Sequence, residues 1–263
     1  MRRAIETVGA LALCMSVAGA TAFAQTTPDN SNALKCQIGQ ASASAKFVAA
    51  KTKCAMKCLS TQRKTSGPYG DCKPPAYGGA TATCINDPAK GAEAKALAAI
   101  GKGCVKDCPD CYADDTPSNC PNGAGFVQNA EAQVDGIGPL VFCLENNDQT
   151  PTKAQAKCED TVGKSLVKYV AAAGKCVSKC IGSEFKGSLP PNSCNASTPA
   201  DMKTQTCLAN AAAKTTAAID KACATTPTSN PPCYGTSLDS GAEWTGLVSG
   251  AVASVAPASF CGM

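Results

Sequence analysis

Eighteen cysteines follow position 24, and sixteen of them fall into two matching series. Cys36, Cys54, Cys58 and Cys72 recur as Cys158, Cys176, Cys180 and Cys194, each 122 residues later. Cys84, Cys104, Cys111 and Cys143 recur as Cys207, Cys223, Cys233 and Cys261. The surrounding residues repeat as well. CQIGQASASAKFVAAKTKCAMKC aligns with CEDTVGKSLVKYVAAAGKCVSKC at nine identities in 23 positions, and the closing segments GAGFVQNAEAQVDGIGPLVFC and GAEWTGLVSGAVASVAPASFC are equal in length. Self-similarity at a fixed period marks a repeat architecture. The chain therefore reads as an internal duplication, residues 31–148 and 153–263, joined near ENNDQTPTK.

The first 24 residues read as a signal peptide. MRR supplies the positive start, VGALALCMSVAGA the apolar stretch, and Ala22-Phe23-Ala24 the small-residue cleavage site. The stretch is short for a membrane span. Leu13 precedes Cys14 where a lipobox requires a small residue, so a lipid anchor is not expected. The mature chain is expected to begin near Gln25, in the periplasm or outside the cell.

Export and an even cysteine count together point to disulfides. So does composition: Leu, Ile, Val and Phe make up 33 of the 239 residues after position 24, low for a core that must stand alone. Covalent links typically contribute ~2–4 kcal/mol each. The chain's +4 falls to +3 once Arg2, Arg3 and Glu6 leave with the signal. The lysines are spread among alanines with few aromatic neighbours, a pattern of solvated helix faces and not of a nucleic-acid groove.

Each copy reads as an all-α unit of about three helices. Residues 33–64 and 152–183 are rich in Ala, Lys and Gln. A second helix is expected from the Asp87-Pro88 N-terminus to about 107, and from 200 to 224 in the second copy. A third covers 124–134 and is broken by Gly136, Gly138 and Pro139. In the first helix Cys36 and Cys54 are 18 residues apart, five full turns, and Cys58 is one turn further, so all three share a face. An antiparallel second helix then gathers Cys54, Cys58, Cys72 and Cys84 at one end and Cys36, Cys104, Cys111 and Cys143 at the other. The second copy gives Cys176, Cys180, Cys194 and Cys207, and Cys158, Cys223, Cys233 and Cys261. Each set closes two bonds, by any of three connectivities. The two cysteines without counterparts, Cys108 and Cys120, are expected to pair with each other.

Other chemistries fit less well. Thiolates four residues apart on a helix could store Cu(I), a soft ion that prefers sulfur, and this is the alternative function. Cys108-Pro-Asp-Cys111 matches the CPxC form of thiol-disulfide catalysts, but it falls at a helix C-terminus, where the dipole opposes a thiolate. The chain has no histidine, which removes the usual Ser-His and Cys-His nucleophiles. Glu131 and Asp135 lie four apart, but their counterparts are Ser249 and Ala253, so they read as a solvated face. Eight cysteines in a small helical exported unit is loosely similar to plant lipid-transfer proteins, whose ligand is held in a cavity. Their Cys-Cys and Cys-x-Cys steps are absent, so no site residue carries over. The signal peptide followed by KC-rich alanine helices also resembles uncharacterised cysteine-rich exported bacterial proteins, a likeness that implies no function. The expectation is a non-enzymatic, disulfide-stapled protein with a structural or binding role, without cofactor, nucleic acid or membrane span, and with a protein or cell surface as its possible partner.

Overall fold

The computed structural model describes residues 28, 30–65, 69–109, 112, 122–144, 151–194, 199–223 and 229–260. Among them all regular structure is helical: α1 Ser31–Thr65, α2 Gly79–Asn86, α3 Ala92–Cys104, α4 Asn122–Val141, α5 Lys153–Phe185, α6 Met202–Cys223 and α7 Gly241–Ser259. Short 3-10 turns lie at Tyr69–Cys72 and Pro232–Tyr234. None of these helices is long and apolar enough to cross a membrane. The signal segment lies outside the described residues.

The two long helices begin where their capping chemistry dictates. Asn30 Oδ1 accepts the backbone N–H groups of Asn32 at 2.8 Å and Ala33 at 3.0 Å, opening α1. Thr152 Oγ1 accepts from Gln155 N at 3.2 Å, and Gln155 Oε1 accepts from Thr152 N at 2.8 Å, a complete capping box for α5.

Two expected boundaries are corrected. Asp87 does not open the helix that follows it. Its carboxylate accepts from Ala89 N (2.9 Å) and Lys90 N (2.7 Å), which makes a separate turn after α2, and α3 starts only at Ala92. The fold-back is tight: a Cβ on Gly91 would stand 2.6 Å from backbone atoms of Ile85 and Asp87. Helix α4 also does not break at Gly136; it runs through Gly138 and Pro139 to Val141. A proline two residues before the end forfeits one hydrogen bond. Against that loss, Val141 and Phe142 are buried in the interior with Ile137 packed beside them, and their burial outweighs the local propensity.

Disulfides fix the helices to one another. In the first half Cys36–Cys104 joins α1 to α3 with the Cα atoms 4.4 Å apart, Cys54–Cys84 joins α1 to α2, and Cys58–Cys72 joins α1 to the first 3-10 turn. In the second half Cys158–Cys223, Cys176–Cys207 and Cys180–Cys194 occupy the matching positions. Gly39 and Gly103 face each other at this α1–α3 contact, where a Cβ on either would make ordinary van der Waals contact, 3.6 Å from the other's Cα.

The expectation that Cys143 bonds with Cys36, Cys104 or Cys111, and Cys233 with Cys158, Cys223 or Cys261, is overturned. Cys143 bonds to Cys233, across the two halves and 90 residues apart. The reason is where α4 ends. Cys143 takes a left-handed backbone (φ 51°), and the chain there lies against the second half. Phe142 presses against Gly163 of α5, where a Cβ would be 3.0 Å from its ring, and Tyr234 donates its hydroxyl to Val141 O at 2.8 Å. Cys108 is also disulfide-bonded, while Cys111, Cys120 and Cys261 lie outside the described residues.

The hydrophobic interior is continuous across the two halves. One cluster sets Leu59, Val141 and Phe142 among Val162, Leu166, Tyr234 and Trp244. Another packs Leu34, Ile38 and Ala41 against Val177, Ile181 and Phe260. Helices α1 and α5 therefore run antiparallel, the start of each beside the end of the other. Arg63 closes one end by pairing with Glu159 and, at 3.0 Å, with Asp160.

Candidate ligand cavity between the two halves

Where α1 and α5 pass each other, with α4 and α7 alongside, they leave a cavity of about 150 Å³. It is hollow because the inward positions are small: Ala41, Ala45 and Ala55 on α1, Gly163 and Gly174 on α5, Ala130 and Gly138 on α4. Its wall on α1 extends from Ala41 to Ala55, about 21 Å at 1.5 Å per residue. Corresponding residues of the repeat face it from both sides. Ala45 is matched by Val167, Val48 by Val170, Ala130 by Val248, Val134 by Val252 and Phe142 by Phe260. The lining is almost wholly apolar. Apolar surface of this extent held apart is unlike the close packing of an ordinary interior. Six staples hold the surrounding helices within their halves, and Cys143–Cys233 holds the halves together.

Beside the first-half wall sits a buried charge cluster. Lys51 is fully buried, with its Nζ 2.6 Å from Glu131 Oε1 and 2.7 Å from Asp135 Oδ1, and 5.2 Å from the centre of the Tyr77 ring. Tyr77 lines the cavity and donates its hydroxyl to Asp135 Oδ1 at 3.3 Å. Burial raises the Asp135 carboxyl above its ordinary range, with Lys51 pulling it back down. Burial, reinforced by Asp135, also raises the Tyr77 phenol.

The reading of Glu131 and Asp135 as a solvated face is thus corrected, and so is that of Lys51. A signal for the cluster was present in the repeat. Lys51, Glu131 and Asp135 become Ala173, Ser249 and Ala253 in the second copy, so the cation and both anions are exchanged together. The second copy fills the place with a neutral contact, Tyr169 Oη to Ser249 Oγ at 2.8 Å. The lysines of KCAMKC and KCVSKC, in contrast, are exposed.

The described cysteines offer no thiolate set. Of the fifteen described, fourteen form the seven bonds above and Cys108 is bonded as well. A disulfide sulfur is not the thiolate that Cu(I) binding or redox attack requires. The metal-compatible grouping found among the described residues, Cys180, Glu184 and Cys194, contains one of these disulfides.

Comparison with protein-family models, curated proteins and solved structures gave no match.

Proposed function

We propose that the chain is an exported, disulfide-stapled duplication that carries a small apolar molecule between its two copies, without catalysis. The observation that carries this reading is the apolar cavity, walled by the same positions of both copies and bridged by Cys143–Cys233. Ligand sites are concave, mostly apolar and preformed, and they favour the boundary between two units. The stapled framework supports the reading by keeping the walls apart when the space between them is unfilled. Seven bonds suit an oxidising compartment, and a signal in residues 1–24, cleaved near Ala24, would direct the chain there. A protein or cell-surface partner would then receive or supply the cargo.

Titration of the oxidised mature protein with N-phenyl-1-naphthylamine, an uncharged apolar fluorophore, tests the proposal. One saturable site is expected, and reduction with excess dithiothreitol should abolish it. Absence of saturable binding to the oxidised protein refutes the reading.

A further inference from the structure

The two walls of the cavity differ in chemistry. All the polar side chains that face it, Ser44, Thr52, Tyr77 and Gln133, belong to the first half. Three have direct counterparts in the repeat, and these are Leu166, Gly174 and Ala251, which also line the cavity. The second half therefore presents a purely apolar wall, and the first half a wall with hydrogen-bonding groups set into it.

Two of those groups already have partners. Ser44 Oγ accepts from Gln40 Nε2 at 3.3 Å, and the Tyr77 hydroxyl serves Asp135. Thr52, only 8% exposed, and the half-buried Gln133 line the cavity, and among the described residues neither side chain makes a hydrogen bond. Neither group is sealed from water, so a ligand hydroxyl would replace their water contacts with direct hydrogen bonds.

Charge then narrows what that ligand group is. Glu131 and Asp135 outnumber Lys51, so the cluster next to the Thr52 wall carries a net negative charge. In surroundings this apolar, a carboxylate ligand meets both a desolvation cost and like-charge repulsion. An ammonium is drawn by that net charge, but it meets the same desolvation cost and finds no free carboxylate on the wall, because both acids are turned toward Lys51.

Resting on the carrier reading, we propose that the ligand is an uncharged amphiphile of the long-chain alcohol class. Its hydrocarbon body lies along the second-half wall, and its hydroxyl is held by Thr52 and Gln133.

Displacement of N-phenyl-1-naphthylamine from the oxidised mature protein by 1-dodecanol, dodecanoate and dodecylammonium tests this. Dodecanol should displace the probe best, with each charged head at least about tenfold weaker, the effect of ~1.4 kcal/mol or more. The variant carrying Thr52→Ala and Gln133→Ala, which resemble the second copy's own residues, should lose about tenfold for dodecanol measured against its own affinity for the probe. Equal or better displacement by dodecanoate or dodecylammonium overturns the inference and leaves the carrier reading standing. An unchanged dodecanol affinity in the double variant overturns the assignment of Thr52 and Gln133. Failure of the probe itself to bind removes both proposals together. Far-UV circular dichroism confirms that the variant is folded.

Discussion

Replacing Gly174 by leucine should strengthen the ligand-free protein and close its cavity. Gly174 sits in the middle of α5, lines the cavity, and has nothing within 4 Å of where a Cβ would stand. A leucine side chain would lie against the apolar lining, worth ~1–2 kcal/mol for the apolar area it buries, and a helix-interior glycine replaced by a good helix former adds ~1 kcal/mol. Gly174→Ala supplies the helix gain alone and serves as the control. The expected order of stability, by denaturant midpoint on oxidised and ligand-stripped protein, is leucine above alanine above the natural residue. Leucine should also abolish binding of N-phenyl-1-naphthylamine, while alanine retains most of it. A leucine variant that binds the probe unchanged, or that is less stable than the alanine variant, would refute a ligand-sized space beside this residue.

Other outcomes follow from the same structure. Lys51→Met leaves Glu131 and Asp135 facing each other without their cation and should destabilise by roughly 3–5 kcal/mol; the triple replacement Lys51→Ala, Glu131→Ser, Asp135→Ala, which restores the second copy's pattern, should recover most of that in denaturant unfolding. Burial, opposed by Arg63, pushes the Glu159 carboxyl up to about 7 from its ordinary 4.5. The folded state therefore holds a proton that the unfolded chain has released, and stability should fall by roughly 3 kcal/mol as pH rises through 4.5–7. Glu159→Gln should flatten this slope in pH-dependent unfolding. Finally, the repeat matches Cys143 with Cys261 and Cys233 with Cys111, so the observed Cys143–Cys233 bond predicts a second cross-link, Cys111 with Cys261, and leaves Cys120 for Cys108. Non-reducing peptide mapping should recover both pairs; Cys111 linked to Cys108 or Cys120 would contradict this use of the repeat.

Much of the helical framework was legible because local signals agreed. Residues 33–64 and 152–183, rich in Ala, Lys and Gln, fall within α1 and the capped α5, and the spacing of Cys36, Cys54 and Cys58 places all three on one face. The course of α4 was not legible. Gly136, Gly138 and Pro139 argue locally for a break, and only burial of Val141 and Phe142 against the other half carries the helix through. From that follows the other miss, Cys143–Cys233, since the repeat shows which positions correspond but not which copy a segment packs against. The cavity is a property of two faces together. Alanines and glycines on α1 and α5 read singly as helix formers or weak points, and only their juxtaposition makes a space. The Lys51 cluster was readable in principle, from three linked exchanges between the copies, but each residue taken alone resembled a solvated charge.

The most direct measurement uses Trp244, the chain's single tryptophan, which is fully buried on α7 one turn before the cavity-lining Val248. Excited at the tryptophan band, the oxidised mature protein should pass energy to bound N-phenyl-1-naphthylamine, with tryptophan emission falling saturably at one probe per chain. Gly174→Leu should remove the transfer. Undiminished Trp244 emission at saturating probe, or transfer that survives Gly174→Leu unchanged, would contradict a ligand held between the two halves.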